Sequence, residues 1–532
     1  MLSAGSSPEG WVNACLPSGI RCLSLRCLIS FKDSSPDWTR RFWILLAGVF
    51  AFRAVFTLFF CSQADLAGDE AYYWDWGRQL DWGYYSKPPM IGWIMGIVGR
   101  LTGDTDWGIR GAALLLGTGT LATFFALTRS LYDARTGFIA AALMLLTPAS
   151  AGLNLFLTID APLLLTWTAA LLLYWSAVQT PSSWSRWLML ALVMGIGTLS
   201  KQMMLVFPLL MVAFAVVSKE DQSLLKNPRL WIAIVISALF LFPVLYWQQQ
   251  HQWITLEHTA HHFDTKSLGF WHWLTRTLEW PGVQALVYTP VTWLALMWVL
   301  WLGVSHWKSM DRRGRFLLLF SAPALMIFTL LALRQRINPN WPAVFYVPAF
   351  ILLAAWFAGH LPWGKSANWQ KWSFRAAGFI TVILHLIVPI TFMTSLKGHK
   401  KLAELRGWRE TGAQAGKYLE TVPRPERTFV MALGHRYSAA QLAFNMPQHP
   451  RTYRYEPSGH PMSQYEIWPG AEERLGDDAL IFTHHAVPKE VSDAFEKIEA
   501  FGKVEVPLGD TTRVYQVFLG HRLQTWKQIG AP

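Results

Sequence analysis

Apolar runs long enough to cross a bilayer recur along this chain, and no other feature narrows its fold as far. They are read at residues 42–61, 107–128, 137–155, 160–178, 186–200, 203–218, 230–248, 283–305, 315–333, 342–360 and 375–395. A helix rises 1.5 Å per residue, so about 20 residues cover the ~30 Å of hydrocarbon. The expectation is an all-α polytopic membrane protein with eleven transmembrane helices and a small C-terminal α/β domain. The pair at 186–200 and 203–218 is short and interrupted by glycine, which suggests tilted or partial helices.

Composition agrees. Of the 532 residues, 52% are hydrophobic and only 15% charged, against about 25% charged in soluble domains. The 30 Trp and 32 Phe are residues that gather at membrane interfaces. A soluble enzyme, a disordered chain and a disulfide scaffold are thereby excluded. The net charge of +12 fits basic cytoplasmic loops and headgroup contacts. No basic patch interleaves with a binding motif, so nucleic acid is not an expected partner. The four cysteines, Cys15, Cys22, Cys27 and Cys61, all precede the C-terminal region, which therefore holds no disulfide.

Residues 1–38 read as a cytoplasmic leader, partly disordered by composition and without the single apolar core of a signal peptide. Arg40 and Arg41 before the first span argue for a cytoplasmic N-terminus. The bias continues downstream: Arg129, Arg135, Arg186, Lys219, Lys226, Arg229, Lys308, Arg312, Arg313 and Arg315 fall in loops of one side. The membrane region spans 39–396 and contains a large acidic outside loop, 62–106. In that loop the stretch Met90–Val98 is too short to cross and reads as an interfacial helix. An odd number of spans puts residues 397–532 outside. There Thr428–Leu433, Ala479–Thr483 and Arg513–Phe518 read as strands, and Lys489–Lys497 as a helix.

Charged groups collect at the outer ends of the spans. Gly68-Asp69-Glu70 follows the first span, with Tyr72 close behind. A partly desolvated carboxylate there can act as a general base, and the bare sequence leaves Asp69 and Glu70 nearly tied. Tyr84-Tyr85-Ser86-Lys87-Pro88-Pro89 sets a lysine at the interface. Asp160, before Pro162, reads as a helix N-cap and as a second acidic group. Lys201 sits between two short spans. Arg334 and Arg336 lie on the outer side, against the charge bias, as expected for cations that meet an outside anion such as phosphate. Asn340 follows in Asn338-Pro339-Asn340-Trp341. Arg53, inside the first span, is expected to pair within the membrane or to snorkel. His251, His258, His261 and His262 make only a weak metal motif.

The stretches GDEAYYWDWGRQLDWGYYSKPPMIGW, TIDAPLLLTW, GTLSKQMMLVFP, FPVLYWQQQHQWITLEH and INPNWPAVFY together resemble bacterial polyprenyl-phosphate-sugar-dependent glycosyltransferases of the GT-C fold. These are the glycosyltransferase family 39 and aminoarabinose-transferase-like proteins, related to protein mannosyltransferases. LAFNMPQHPRTYRY and SQYEIWPG are similar to the family's outer domain, so the resemblance runs from about residue 40 to 520. It implies a polyprenyl-phosphate sugar donor and chemistry on the periplasmic side of the bacterial inner membrane. Asp69 takes the place of the catalytic acid, with Glu70 and Asp160 as further acidic candidates. Lys87 takes the place of the donor-phosphate ligand, joined by Lys201, Arg334 and Arg336. Tyr72, Tyr84, Tyr85 and Asn340 are expected to contact sugar or acceptor. Ser86 and Tyr72 stand where the aminoarabinose branch commonly has an acid and an arginine. No cofactor is implied with certainty, and a divalent metal is conceivable but unsupported. The expected acceptor is lipid A or another envelope glycolipid, with a protein hydroxyl second. A transporter or flippase of a lipid-linked or anionic solute is the rival class. It would place its charges near the bilayer midplane in paired repeats, a pattern that this chain lacks.

Overall fold

The computed structural model describes residues 36–261, 269–361 and 404–526, with Trp363 and a few isolated positions between 372 and 383. The expected eleventh span, 375–395, lies outside the described residues but for those few positions.

The helices run α1 (Pro36–Gln63), α2 (Gly68–Arg78), α3 (Met90–Thr102), α4 (Asp106–Leu131), α5 (Ala134–Leu145), α6 (Pro148–Leu155), α7 (Asp160–Gln179), α8 (Trp184–Ser200) and α9 (Val206–Val217). They continue with α10 (Pro228–Leu239), α11 (Phe242–Gln250), α12 (Ile254–His261), α13 (Phe270–Tyr288), α14 (Pro290–Ser305), α15 (Arg312–Leu319), α16 (Ala322–Ala332) and α17 (Ala343–Ala358). Among the described residues, five helical stretches are long and apolar enough to cross a membrane: α1, α4, α7, α10–α11 and α15–α16. The number rises to seven if the bent pairs α5–α6 and α13–α14 each count as one span.

The two bends correct the sequence reading, and proline explains both. The run 283–305 is not one helix, because α13 and α14 meet at 109°. The break falls on Thr289, whose φ of +62° precedes Pro290. Proline lacks an N–H and disfavours a helical residue before it. The run 137–155 bends by 76° at Thr147-Pro148. There the Thr147 side chain caps the new helix by accepting from the Ser150 amide. The expected interfacial stretch is α3, a 13-residue helix.

The C-terminal part opens with α18 (Trp408–Thr421) and builds a five-stranded sheet. Its strands are β1 (Thr428–Leu433), β2 (Thr452–Tyr455), β3 (Asp478–Thr483), β4 (Phe495–Pro507) and β5 (Thr512–Leu523), in the order β2-β1-β3-β5-β4. Strand β1 is parallel to β2 and β3, whereas β5 runs antiparallel to β3 and β4. Helix α19 (Arg436–Asn445) links β1 to β2. The helix expected at Lys489–Lys497 is a single turn, Lys489–Ser492, and the chain is already in β4 at Phe495. Buried Val504 and Val506 alternate with exposed Lys503 and Glu505 in that strand, the two-residue period of a sheet.

Alternation also decides what each sheet face touches. Val430, Ala432, Leu480 and Phe482 point one way and share a core with Leu66, Ala71, Tyr72, Trp74 and Trp76 of the first loop. Phe429, Met431, Ala479 and Ile481 point the other way into a second cluster. The 64–106 loop region and the sheet therefore form one hydrophobic body.

Candidate active site

Helix α2 starts immediately after a short loop from α1, and its first turn carries both acids of the Asp-Glu pair. Neighbouring helical residues point roughly 100° apart, and the two acids diverge accordingly. Glu70 turns inward and is 1% exposed. It accepts hydrogen bonds from the Ala67 and Leu157 amides, each at 3.0 Å. It also lies 3.6 Å from the buried guanidinium of Arg110. Burial raises its pKa, against the pull of Arg110 and the two amides. Arg110 itself donates to the carbonyls of Ala64 and Asp65 at 3.0 and 2.6 Å. Glu70 and Arg110 thus fasten α2 to α4 and to the start of α7's loop. Asp69 stays half-buried, and its Oδ1 accepts a 2.8 Å hydrogen bond from the hydroxyl of Tyr437 on α19.

Lys87 is presented by a tight reversal. Tyr84 and Lys87 exchange backbone hydrogen bonds at 3.1 and 3.3 Å, and Pro88-Pro89 leads straight into α3. Burial, and then the charge of Lys201, push the Lys87 ammonium below its ordinary pKa, while Asp69 and Asp160 act in the opposite sense. No carboxylate pairs with Lys87 among the described residues.

Asp160 does not act as the expected N-cap. Ile159 holds that position, and Asp160 is the first residue of α7. Its carboxylate, 1% exposed, instead receives Lys201 Nζ at 2.8 Å and Asn340 Nδ2 at 2.5 Å. Lys201 is the residue that ends α8. Three distant segments therefore converge on one carboxylate, and Lys201 already has a counter-ion.

The remaining candidates divide. Arg336 is exposed and paired with Glu279, and Arg334 is exposed. Among the described residues, no hydrogen bond or ion pair joins either arginine to Lys87, Asp69 or Asp160. Tyr84 is fully buried, stacked on Trp76 with centroids 4.4 Å apart, its hydroxyl bonded to the Trp76 and Gln79 carbonyls. Tyr72 is buried and its hydroxyl accepts from the Gln464 amide at 2.5 Å. Tyr85 is buried against His258, with centroids 4.8 Å apart. Within the histidine run, His251 stacks on Trp247, and residues 262–268 lie outside the described residues. Arg53 donates to Ser150 Oγ at 3.0 Å, a hydroxyl rather than an acid.

Sequence reasoning missed Arg436 and Tyr437. The Arg436 guanidinium lies 5.4 Å from the ring centroid of Tyr72 and 5.1 Å from that of Tyr437. Burial disfavours its charge, but Tyr72, Tyr437 and Asp69 together hold it above its ordinary pKa. No local signal marks these residues, since they follow β1 in a region without a catalytic motif. Below this layer an apolar cavity opens between helices, lined by Ala161, Leu164, Tyr288, Ala343, Tyr346 and Phe350 among others. Its lining residues Ala161 and Ala343 follow Asp160 and Asn340 in sequence by one and three residues. The assembled site offers a half-buried carboxylate, an ammonium that no carboxylate pairs among the described residues, and an apolar cavity: groups that can accept a proton, bind an anion and take apolar atoms.

Comparison with known proteins points the same way. Residues 86–247 match the dolichyl-phosphate-mannose-protein mannosyltransferase family model. The chain is 27% identical over 436 residues to lipid A galacturonosyltransferase RgtD of Rhizobium johnstonii, covering 80% of this chain and 86% of that protein. It shares its fold with ArnT from Cupriavidus metallidurans in the apo state, with TM-score 0.60, 15% identity and coverage of 91% and 98% of the two chains. The same protein bound to undecaprenyl phosphate gives TM-score 0.59 and 16% identity, covering 90% and 97%. The chain thus has the GT-C fold along nine-tenths of its length, and the matched family segment carries Lys87, Asp160 and Lys201.

Proposed function

We propose that this enzyme moves a sugar from a polyprenyl-phosphate donor to an envelope glycolipid, lipid A being the acceptor class, at the periplasmic face of the bacterial inner membrane. The observation that carries the reading is the Lys87 ammonium without counter-ion, in one layer with Asp69 and Asp160. Lys87 binds the donor phosphate and stabilises the charge that develops as it leaves. Asp69 takes the proton of the acceptor hydroxyl, whose oxygen forms the bond to the sugar's anomeric carbon. The bond from that carbon to phosphate oxygen breaks, and its electron pair stays on the phosphate. The cavity beside Asp160 takes the prenyl chain. The names of the relatives, one acting on lipid A and one bound to undecaprenyl phosphate, support donor and acceptor. A protein hydroxyl is the second reading, favoured by the description of the matching family model.

Mass spectrometry of envelope glycolipids from cells with and without the protein tests the acceptor. A sugar mass missing from lipid A is expected, and an unchanged lipid A profile overturns that assignment. Asp69→Asn keeps shape and removes the base, so turnover of the polyprenyl-phosphate sugar should fall by about 10²–10⁴-fold. The charge bias and the odd number of apolar runs argue for a cytoplasmic N-terminus and a periplasmic sheet. Reporter fusions after Arg375 and after Lys400 should then report opposite sides of the membrane.

A further inference from the structure

We propose that Tyr437, on the first turn of α19 in the C-terminal sheet region, is a positioning residue for Asp69. It acts from 368 residues away in sequence. The inference rests on Asp69 being the base. Three observations carry it.

The Tyr437 hydroxyl donates to Asp69 Oδ1 at 2.8 Å, which fixes one carboxylate oxygen and leaves the other for the acceptor proton. The Tyr437 ring packs directly against Gly68. A Cβ on Gly68 would sit 2.4 Å from Tyr437 Cγ. Glycine at the residue before the base is what allows the ring this close. Finally, Arg436 packs over both Tyr437 and Tyr72 and bridges α19 to α2. The phenol is thus held from both sides, and burial, followed by the Asp69 charge, keeps it protonated as a donor by raising its pKa.

The titratable and charged groups around Asp69 are Tyr73 on its own helix, Lys87 on the reversal, His435 at the N-cap of α19, and Arg436 and Tyr437 in its first turn. Of these, only the Tyr437 hydroxyl touches the carboxylate. Without it the carboxylate loses the bond that orients it.

The test compares purified Tyr437→Phe with wild type, using a polyprenyl-phosphate sugar over a range of donor concentrations. The ring and its seat on Gly68 remain. The expected result is a tenfold or greater fall in kcat with a donor KM changed less than twofold. Gly68→Ala keeps both functional groups but displaces the ring, and should lower kcat in the same way. Tyr418→Phe removes another hydroxyl of the sheet region, one bonded to the Lys503 backbone, and should leave kcat and KM in place. A wild-type kcat in Tyr437→Phe, with Asp69→Asn inactive, overturns the positioning role and leaves the base assignment standing. Activity retained in Asp69→Asn overturns the base assignment itself.

Discussion

Lys87 carries its charge where burial and a second cation oppose it, and that makes it the most informative single residue to alter. Lys87→Ala should weaken donor use by tenfold or more, since a hydrogen bond to a charged group contributes about 1.5–3 kcal/mol. Its pKa is lowered, so the ammonium is lost as pH rises earlier than for an ordinary lysine at about 10.4. Donor KM should therefore climb on the alkaline side. Lys87→Arg, whose charge persists throughout this range, should flatten that climb; a donor KM independent of pH in the wild type would argue against phosphate binding by Lys87. The sequence marked Lys87 through its place before Pro88-Pro89. It had no means to separate Asp69 from Glu70, because the helical rotation that sends one to Tyr437 and the other to Arg110 depends on where α2 begins.

At the scale of elements, the site stands on the crossing of α2 and α3. A Cβ on Gly77 would meet the Gly96 backbone nitrogen at 2.5 Å, and one on Gly96 would meet the Gly77 carbonyl at 2.7 Å. The two helices touch backbone to backbone, and only glycine on both sides permits it. Gly77→Ala should separate them and destabilise the protein by about 1–3 kcal/mol, the usual cost of overpacking. Thermal unfolding in detergent would show it as a lowered midpoint, with activity falling because Lys87 leads into α3. The short length of α3 was legible in the sequence, but its glycine seat was not, since a lone glycine pattern does not name its partner. The kinks at Thr147 and Thr289 were missed for a related reason. An apolar run reads as continuous even where a proline turns the chain.

For the whole molecule, the acids of the loop after α1 have a role that composition disguised. Asp65 and Asp75 are buried, 5% and 3% exposed. Asp65 accepts from the Trp408 amide at 2.6 Å, and Asp75 from the Tyr465 hydroxyl at 2.7 Å. Arg78 completes the docking by donating to the His449 carbonyl at 2.9 Å. These acids tie the loop to the sheet region; they are not a solvated acidic surface. A chain ending before residue 404 should accordingly lose activity and expose α2 to protease, because Leu66, Ala71 and Trp74 would lose the other half of their core. Resistance of α2 in the shortened chain would show that the membrane helices hold the loop alone.

Local sequence determined the membrane class, the order of apolar helices, the short apolar helix after Pro88-Pro89, strands at 428–433, 479–483 and 513–518, and the acids and lysines worth testing. Those follow from hydrophobic period, length and charge placement, which act over a few turns of chain. Tertiary structure alone decided which charges face one another. It gave Asp160 to Lys201 and Asn340, removed Arg336 to Glu279, and brought Arg436 and Tyr437 across to Asp69. The last of these joins segments 368 residues apart. It exists only once apolar burial has packed the sheet against the first loop, and no local pattern encodes any of these contacts.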